Sequence, residues 1–506
     1  MTSSNPSSSP RRITIVGGGF TGVSAAVQLV RHAPFPLEIT LIESRERVGP
    51  GLAYSTSDPD HRLNGPAWIH SVDPTEGAHF LRWCEAQGVF QRDPDAVQAS
   101  GAAFVRRSEF GRYLEDTLRA HSVWPATGST IEVLRDTAID VVSHGQSVKV
   151  MTSGGHASPA DVVLLATGNA VPRLQRPLDQ CLERHPAVIA NPLETWRLAG
   201  IPVEARVLVI GSGLTALDVL STLRRQGHQA PVVVLSRRGL RPRAQAPHNV
   251  PMEQPTGRQL LDRVLNQPPA FITQAPPTLR AWLKALRVRI REDAALGRSW
   301  HVAFDELRDT VWQLWPRLPE TQQRRFLGKL RTWYDVHRFR SPPPTEAIVN
   351  AALARGQVYL RAARLLSVEP MAGGPGLLVR SRRSSKDEVS EEQFDAVVNC
   401  TGLDVAARTA ANPLLSALVR SGRLQVDACG VGYSVDANCR AVDANGQAQP
   451  SLRVIGPPTL GTFGDPAGAM YIAAQIHRLL PDVWQTLVSG STSKSGGPAS
   501  VACAKV

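Results

Sequence analysis

The spacing of apolar runs and glycines predicts a nucleotide-binding unit at the start of the chain. An apolar run at residues 13–16 is followed by Gly17, Gly19 and Gly22, and a second apolar run covers residues 37–42. The apolar positions between the two runs have helical spacing. The first glycine permits a tight turn, the second lets the backbone approach a pyrophosphate, and the third lets helix and strand pack closely. This pattern predicts a dinucleotide at the N-terminus of the helix.

The same order of features recurs in the middle of the chain. An apolar run at residues 207–210 precedes Gly211, Gly213 and Ala216, and a further apolar run covers residues 231–235. Alanine is small enough for the third position of the glycine pattern. We therefore expect an α/β fold with two Rossmann-like dinucleotide-binding domains.

The residue after the second strand differs between the two units. Glu43 stands there in the first unit, where a carboxylate hydrogen-bonds the hydroxyls of a ribose. Arg237, followed by Arg238, stands at the same offset from Ala216 as Glu43 does from Gly22. Arginine pairs with a ribose 2′-phosphate through charge-assisted hydrogen bonds. We predict FAD in the first unit and NADPH in the second, with NADH as the alternative if the two arginines are solvated charges at a strand end.

Two later strands share a Thr-Gly ending. Residues 161–168 end in Thr167 and Gly168, and residues 395–402 end in a second Thr-Gly pair that contains Gly402. In flavoproteins with two dinucleotide domains, such strand ends mark where the chain leaves and re-enters the FAD domain. We therefore expect the FAD domain to be split around the NAD(P)H domain, with these residues near the cofactors.

A helix start is predicted close to the flavin near the end of the chain. An apolar run at residues 452–456 predicts a strand, and Gly464 and Asp465 precede a helical pattern at residues 467–480. Pro466 suits the beginning of that helix. We expect the N–H groups of this helix start to stabilise negative charge on the reduced flavin.

A large insertion, about residues 251–344, is predicted to be helical. Its tryptophans predict the core of a helical subdomain, because an aromatic stripe at helical spacing is more often core than cofactor site; they are Trp282, Trp300, Trp312, Trp315 and Trp333. The expected organisation is a disordered segment at 1–10, the FAD domain at 11–200 and 396–485, the NAD(P)H domain at 201–395 with the insertion, and a disordered tail at 486–506.

Composition narrows the function classes. The net charge of +12 is compatible with anionic ligands, but the basic run at residues 324–340 lacks any recognisable nucleic-acid module. An apolar stretch long enough to cross a membrane is absent from the sequence. No two of the six cysteines form a C-x-x-C pair, which disfavours a disulfide-reductase mechanism and a thiolate metal site and favours a cytoplasmic location. We expect no metal and no nucleic-acid or membrane partner.

Four motifs carry a resemblance to a known family: GGGFTG at residues 17–22, GLAYS at 51–55, LNGPA at 63–67 and SRRGL at 236–240. With these motifs, residues 12–485 resemble the YdhS-like FAD/NAD(P)-binding proteins, a family related to flavin monooxygenases. The resemblance implies an FAD-dependent, NAD(P)H-using monooxygenase that hydroxylates a small polar molecule with O2 through a flavin C4a-hydroperoxide. Urate, converted to 5-hydroxyisourate, is the substrate favoured by the resemblance. The alternatives are N-hydroxylation of an amino acid and a reductase that transfers no oxygen.

Candidate reaction-site residues follow Glu43, since in flavoproteins of this layout that loop runs along the flavin. The candidates with a catalytic role are His61, Asn64, Trp68 and His70, and Tyr54, Arg62, His248 and Asn249 are further lining candidates. Asn64 lies in a turn sequence and offers hydrogen bonds to the ring or backbone. Either histidine is a candidate proton relay, with a structural histidine as the alternative.

Overall fold

Both predicted glycine-rich units fold around parallel sheets in the computed structural model of this chain. The structure describes residues 11–492, apart from 124–127, 145–146, 179, 247–256, 384–387 and 403–410. Of the two segments predicted to be disordered, residues 1–10 and 493–506 lie outside the described residues. The prediction is wrong for residues 486–492, which belong to the helix Ala469–Thr492 because its apolar face continues to pack on the first domain as far as Leu487.

The described strands are β1 (Arg11–Val16), β2 (Leu37–Ile42), β3 (Thr130–Leu134), β4 (Ala138–His144), β5 (Ser147–Thr152), β6 (Ala157–Ala160), β7 (Val162–Leu165), β8 (Val188–Ile189), β9 (Val207–Ile210), β10 (Val232–Ser236), β11 (Val358–Pro370), β12 (Leu377–Arg383), β13 (Val389–Phe394), β14 (Ala396–Asn399), β15 (Arg440–Val442) and β16 (Ala448–Val454).

The described α-helices are α1 (Phe20–His32), α2 (His79–Ala86), α3 (Val89–Arg92), α4 (Arg107–Val123), α5 (Thr195–Ala199), α6 (Leu214–Arg225), α7 (Gly257–Leu265), α8 (Ala270–Thr273), α9 (Leu279–Ala295), α10 (His301–Asp309), α11 (Val311–Leu314), α12 (Glu320–Arg325), α13 (Arg331–Arg338), α14 (Pro343–Ala354), α15 (Pro413–Arg420), α16 (Leu460–Phe463) and α17 (Ala469–Thr492).

The first sheet has the order β15-β16-β7-β1-β2-β3 and belongs to the first predicted unit. All of its neighbouring strands are parallel except β15 and β16. The central strands β1 and β7 are short apolar runs that are buried, as in sheets covered on both faces. Helix α1 packs against α17, so a helix from late in the chain forms part of the first domain. A small antiparallel sheet, β4-β5-β6, is attached to this domain.

The second sheet has the order β13-β12-β11-β10-β9-β14-β8. Its parallel part runs from β11 to β8, and β11, β12 and β13 form an antiparallel extension. The fold class expected from the sequence is therefore confirmed.

The expected return to the first domain at residue 396 is wrong. Strand β14 pairs with β9 in the second sheet, with Val397 beside Leu208. The Cys400 N–H donates to the Ile210 carbonyl just as the Ala166 N–H donates to the Val16 carbonyl in the first domain. The two Thr-Gly endings therefore do the same task in two different sheets. Strand β8 also pairs with β14, so the second domain begins before the expected boundary at residue 200.

Within its described residues, the insertion contains the seven α-helices α7 to α13. Helix α14, which begins at Pro343, packs on α6 and leads into β11, so it is the crossover helix of the second sheet. None of the helices in the described part of the chain combines the length and apolarity needed to cross a bilayer.

Candidate functional site

In the first glycine turn, contacts within the protein require glycine at positions 17 and 22 but not at position 19. Gly17 has a φ of +105°, and a Cβ there would lie 2.5 Å from the Ala166 carbonyl oxygen. A Cβ at Gly22 would lie 1.9 Å from the Gly17 oxygen. At Gly19, the N-cap of α1, a Cβ would meet only the Gly51 Cα, at 3.4 Å. The helix N-terminus is therefore left open on the side where a pyrophosphate is expected.

Two polar groups at this turn fit a bound dinucleotide. Glu43 Oε2 accepts a hydrogen bond of 2.8 Å from the Gly18 N–H, and Oε1 accepts one of 2.9 Å from the Arg45 N–H. These bonds hold the carboxylate at the carboxyl end of β2. The Thr167 hydroxyl oxygen is buried beside the Gly17 turn and has no partner among the described residues. A buried hydroxyl without a partner is costly, so a ligand atom at this position would stabilise it.

The second glycine turn repeats the first. Gly211 has a φ of +103°, and a Cβ there would lie 2.1 Å from the Cys400 carbonyl oxygen. A Cβ at Gly213 would have no heavy atom within 4 Å, and the neighbouring Ala216 is buried against the sheet. Space is likewise open around the positions where a Cβ would stand on Gly168 and Gly402. The residues of both turns therefore fit the phosphates for which the sequence predicts them.

The two arginines after β10 differ in their surroundings. Both are exposed. Arg238 donates a hydrogen bond of 2.9 Å to the Lys329 carbonyl, and its guanidinium lies 5.8 Å from the centre of the Trp333 ring. The residues directly after the two arginines, 239–244, line a cavity of about 460 Å³ together with Trp300 and His301. Arg237 directly follows the last residue of β10. Arg238 connects the second domain to the insertion through its contacts with Lys329 and Trp333.

The two candidate histidines are structural. His61 Nε2 lies 3.1 Å from the Thr222 hydroxyl and Nδ1 lies 3.0 Å from the Thr56 hydroxyl, and burial lowers the pKa of this histidine. His70 Nδ1 is 2.9 Å from the Pro66 carbonyl oxygen, and burial lowers its pKa to about 4. Their hydrogen bonds and burial hold both rings in internal contacts, so the structure does not support the proton relay considered for them.

The other loop candidates also lie in packed surroundings. Trp68 belongs to the main core, and the ring of Tyr54 packs edge-on against Phe110. Arg62 forms a buried ion pair of 2.8 Å with Asp93. These contacts give the three candidates structural roles.

Asn64 is the exception among the loop candidates. It is half-buried, and its backbone carbonyl accepts a hydrogen bond of 2.8 Å from the side-chain amide of Gln245, in the segment that follows β10. Asn64 therefore lies where the two domains meet. His248 and Asn249 lie outside the described residues.

Gly464 and Asp465 are held by the insertion. Asp465 Oδ2 accepts hydrogen bonds of 2.7 Å from Arg338 Nε and 2.9 Å from the Tyr334 hydroxyl. Its other oxygen is buried without a partner among the described residues. A Cβ at Gly464 would lie 2.7 Å from Trp315 Cβ, so the segment before α17 is in direct contact with the insertion. The sequence pattern identified Gly464 and Asp465, but it did not identify Tyr334 and Arg338, the residues of the insertion that hold Asp465.

The expectation that the tryptophans of the insertion form its core holds for only some of them. Trp315 is buried in a cluster with Leu279 and Leu318, and Trp282 packs against that cluster, whereas Trp333 is 45% exposed. Trp282, Trp300, Trp315 and Trp333 line a cavity of about 330 Å³ that reaches Gly464. Of the five, only Trp312 packs against the main core, where its indole N–H donates to the Val264 carbonyl at 2.8 Å. The apolar spacing correctly predicts inward-facing positions, but periodicity alone does not distinguish a filled interior from a hollow one.

One group of side chains has a composition that suits a metal ion. His32, Asp73 and His477 bring their ligand atoms within 4.8 Å of one another. His32 Nε2 lies 2.8 Å from Asp73 Oδ2, and Arg31 Nε lies 3.3 Å from the same oxygen. The arginine already compensates the charge of Asp73, which disfavours a cation. The absence of a metal site stays a prediction.

Comparisons with known proteins agree with this arrangement. The model of the FAD-NAD(P)-binding family matches residues 14–170. The FAD-binding monooxygenase ausC of Emericella nidulans is 29% identical over 155 residues, which cover 29% of this chain and 22% of that protein. The chain thus matches less than a quarter of the length of this curated relative.

Among solved structures, the ornithine N-hydroxylase of Kutzneria sp. 744, whose structure is described with reduced FAD, NADP+ and L-ornithine, is similar over 96% of this chain and 100% of that chain, with a TM-score of 0.60 and 14% identity. The L-lysine 6-monooxygenase of Pseudomonas syringae is similar over 94% and 99%, with a TM-score of 0.61 and 16% identity. Residues 14–170 therefore form an FAD/NAD(P)-binding domain, within a chain that has the fold of these flavin enzymes.

Proposed function

We propose that this protein is an FAD-dependent monooxygenase that uses NAD(P)H to hydroxylate a small molecule. The observation that carries the proposal is the pair of glycine turns with the same geometry, one with a carboxylate at its strand end and the other with arginines. In the overall reaction, the substrate, O2, NAD(P)H and a proton give the hydroxylated substrate, water and NAD(P)+. When bound, the flavin supplies hydride acceptance and the activation of O2.

The residues of the first domain hold the FAD. The open backbone at Gly19 and the N-terminus of α1 bind the pyrophosphate, and Glu43 accepts hydrogen bonds from the ribose. The Thr167 hydroxyl, which lacks a partner among the described residues, donates to the cofactor. These contacts hold and orient the cofactor.

The second domain and the insertion perform the remaining tasks. Gly213 leaves space for the phosphates of NAD(P)H, and Arg237 pairs with the 2′-phosphate of NADPH. The loop that carries Gly464 and Asp465 is locked by the insertion, which excludes water from the reacting atoms and limits the release of peroxide.

Of the substrates considered from the sequence, an amine has better support than urate. Three of the proteins that share the fold are named for the oxygenation of ornithine, lysine and cadaverine, and none of these three names refers to a purine. Hydroxylation at nitrogen is therefore the form of the proposal that we favour over the conversion of urate.

The test is NADPH consumption by the purified, FAD-loaded protein against a panel of amines, purines and neutral aromatic compounds. Hydrogen peroxide and oxygenated products are measured in parallel, with 18O2 as the oxygen source. We expect one member of the panel to stimulate NADPH oxidation and to acquire one 18O atom. Bleaching of the flavin by NADPH without any oxygenated product would instead identify a reductase, and a flavin that NADPH does not bleach would contradict both functions.

A further inference from the structure

The cavity of the insertion has an unusually uniform wall. It has a volume of about 330 Å³, within the range of about 300–1,000 Å³ that ligand pockets occupy. Its wall is built from aliphatic and aromatic side chains, and none of the described residues that line it is Asp, Glu, Lys or Arg. Four of the aromatic residues are the tryptophans Trp282, Trp300, Trp315 and Trp333.

This cavity is not part of a close-packed core. Protein interiors have few voids larger than a water molecule, and an apolar pocket of this size suits an apolar ligand. Several lining residues on one side of α9, including Leu283, Leu286 and Ile290, are only partly buried. One buried cluster beside the cavity consists of Leu279, Trp315 and Leu318.

The few polar atoms of the wall suit a neutral ligand. Trp282 Nε1 is buried and has no partner among the described residues. His337 Nδ1 lies 2.7 Å from the Trp333 carbonyl oxygen, so this nitrogen carries the proton, and burial lowers the pKa of His337. A neutral ring with its proton on Nδ1 presents Nε2 as an acceptor. Among the described lining residues, Trp282 thus offers an indole donor and His337 an imidazole acceptor, and none carries a formal charge that could serve as a counter-ion.

The cavity adjoins Gly464 and Asp465, the segment predicted from the sequence to lie at the flavin. Gly464 is part of its wall, and Tyr334, also in the wall, donates its hydroxyl to Asp465. Helix α13 thus contributes both to the cavity and to the contact that holds this segment.

We propose that the cavity is the substrate pocket and that it takes an uncharged molecule with an aromatic or alicyclic body. This inference rests on the proposed function and narrows it. A zwitterion such as ornithine or lysine would lose its hydration in this wall without gaining an opposite charge, which is costly. An amine substrate would therefore be one whose nitrogen is neutral and whose body is apolar.

Binding is tested on the FAD-loaded protein with N-phenyl-1-naphthylamine, a neutral fluorescent probe that carries a naphthalene and a phenyl ring. Energy transfer from tryptophan to the probe reports binding close to the four indoles. We expect saturable binding that Leu286→Lys weakens by at least about tenfold, because the new ammonium group is desolvated in the wall. Val288→Lys, on the same helix but 39% exposed and outside the wall, is the matched control and should bind as the wild type does.

A second variant keeps the test meaningful if Leu286→Lys does not fold. Leu283→Trp fills the cavity with an apolar side chain and should exclude the probe while FAD content and Tm stay close to those of the wild type. Equal probe affinity in wild type, Leu283→Trp and a folded Leu286→Lys would overturn the proposal.

Turnover separates this proposal from the proposed function. Neutral aromatic or alicyclic compounds should stimulate NADPH oxidation more than ornithine, lysine or urate. If a charged amino acid is oxygenated and Leu283→Trp leaves that reaction unchanged, the pocket assignment is wrong while the monooxygenase stands. If NADPH does not reduce the flavin but the probe binds as described, the monooxygenase is wrong while the apolar pocket stands.

Discussion

At the scale of single residues, the glycines of the first turn have separable tasks. Gly17 and Gly22 are required by the geometry of the backbone, because a Cβ at either position would overlap a carbonyl oxygen. At Gly19 a Cβ would remain at van der Waals distance from the protein. Loss of cofactor can therefore be distinguished from loss of fold at this turn.

We predict that Gly19→Ala keeps the wild-type Tm of the apoprotein but weakens FAD binding by about tenfold or more, because its methyl group meets the pyrophosphate. Gly17→Ala should instead lower the free energy of unfolding by at least about 1–2 kcal/mol, because of its positive φ and the contact with Ala166. Flavin absorbance of the purified protein and urea unfolding measure the two effects. An FAD content in Gly19→Ala equal to that of the wild type would contradict the assignment of this turn.

We predict that Arg237 determines the preference for NADPH over NADH. Arg237→Ala should raise the KM for NADPH by roughly tenfold or more and leave that for NADH nearly unchanged, because only NADPH has the 2′-phosphate. Steady-state kinetics with both cofactors measure this ratio. Arg224→Ala, an exposed arginine at the end of α6, serves as the control. An equal effect of Arg237→Ala on both cofactors would show that the arginine does not bind the 2′-phosphate.

His70 should make stability depend on pH. Burial lowers its pKa from 6.5 to about 4 in the folded protein, so between these values the unfolded chain binds the extra proton. The contribution is fully present above about pH 6.5 and is lost as the pH falls towards 4, at a cost of about 3 kcal/mol. Unfolding free energies measured across this range should show that His70→Gln has a smaller slope than the wild type.

At the scale of secondary structure, α13 links the insertion to the segment before α17. Arg338 is buried, with its side chain 7% exposed, and its partner Asp465 is equally enclosed. Its other hydrogen bond, of 2.6 Å, goes to the Ala467 carbonyl. One helix of the insertion thus positions the segment before α17, the helix that packs against α1.

Asp465→Asn should lower the free energy of unfolding by about 3–5 kcal/mol, because it leaves the guanidinium of Arg338 buried without an opposite charge. Urea unfolding of the FAD-loaded protein measures this loss. The exposed pair of Glu320 and Arg324 provides the comparison, since Glu320→Gln should cost less than about 1 kcal/mol. Equal effects of the two variants would show that Asp465 is solvated.

At the scale of the whole molecule, ion pairs join the loop after β2 to helix α6 of the second domain. Asp58 Oδ2 accepts hydrogen bonds of 2.8 Å from the Thr222 hydroxyl and 2.6 Å from Arg225. Arg107 forms a further pair of 2.8 Å with Asp218 on the same helix. Burial acts to raise the pKa of Asp58. The hydrogen bond from the Asp60 N–H and the nearby positive groups outweigh this effect and lower the pKa below its usual value, so the carboxylate is ionised.

Asp58→Asn should lower the unfolding free energy by about 1–3 kcal/mol, because it removes the charged acceptor from a buried site. The FAD content should stay at the wild-type level, because Gly19 and Glu43 are not affected. Asp60→Asn, whose more exposed carboxylate binds the same Arg225, should have the smaller effect on unfolding. A loss of FAD with unchanged stability would contradict a role that joins the two domains.

Local patterns in the sequence predicted both nucleotide turns, because glycine conformation and strand-helix packing depend on residues close together in the chain. The same patterns misplaced β14, since Cys-Thr-Gly at its end looks like the Ala-Thr-Gly after β7. Only hydrogen bonding between distant strands decides to which sheet such a strand belongs. His61 was ambiguous for a similar reason: its partner Thr222 lies 161 residues away in the chain and is not recognisable from spacing.

The sequence by itself therefore determined the fold class, the two cofactor turns and the helical character of the insertion, because these follow from periodicity and from the steric freedom of glycine. Tertiary structure alone decided the contact between α13 and Asp465, the ion pairs around Asp58 and the cavity lined by tryptophans. Each depends on how side chains from separate elements meet in space. An apolar helix face fills a core or surrounds a cavity according to the distance of the helices opposite it, and that distance is not encoded in its own period.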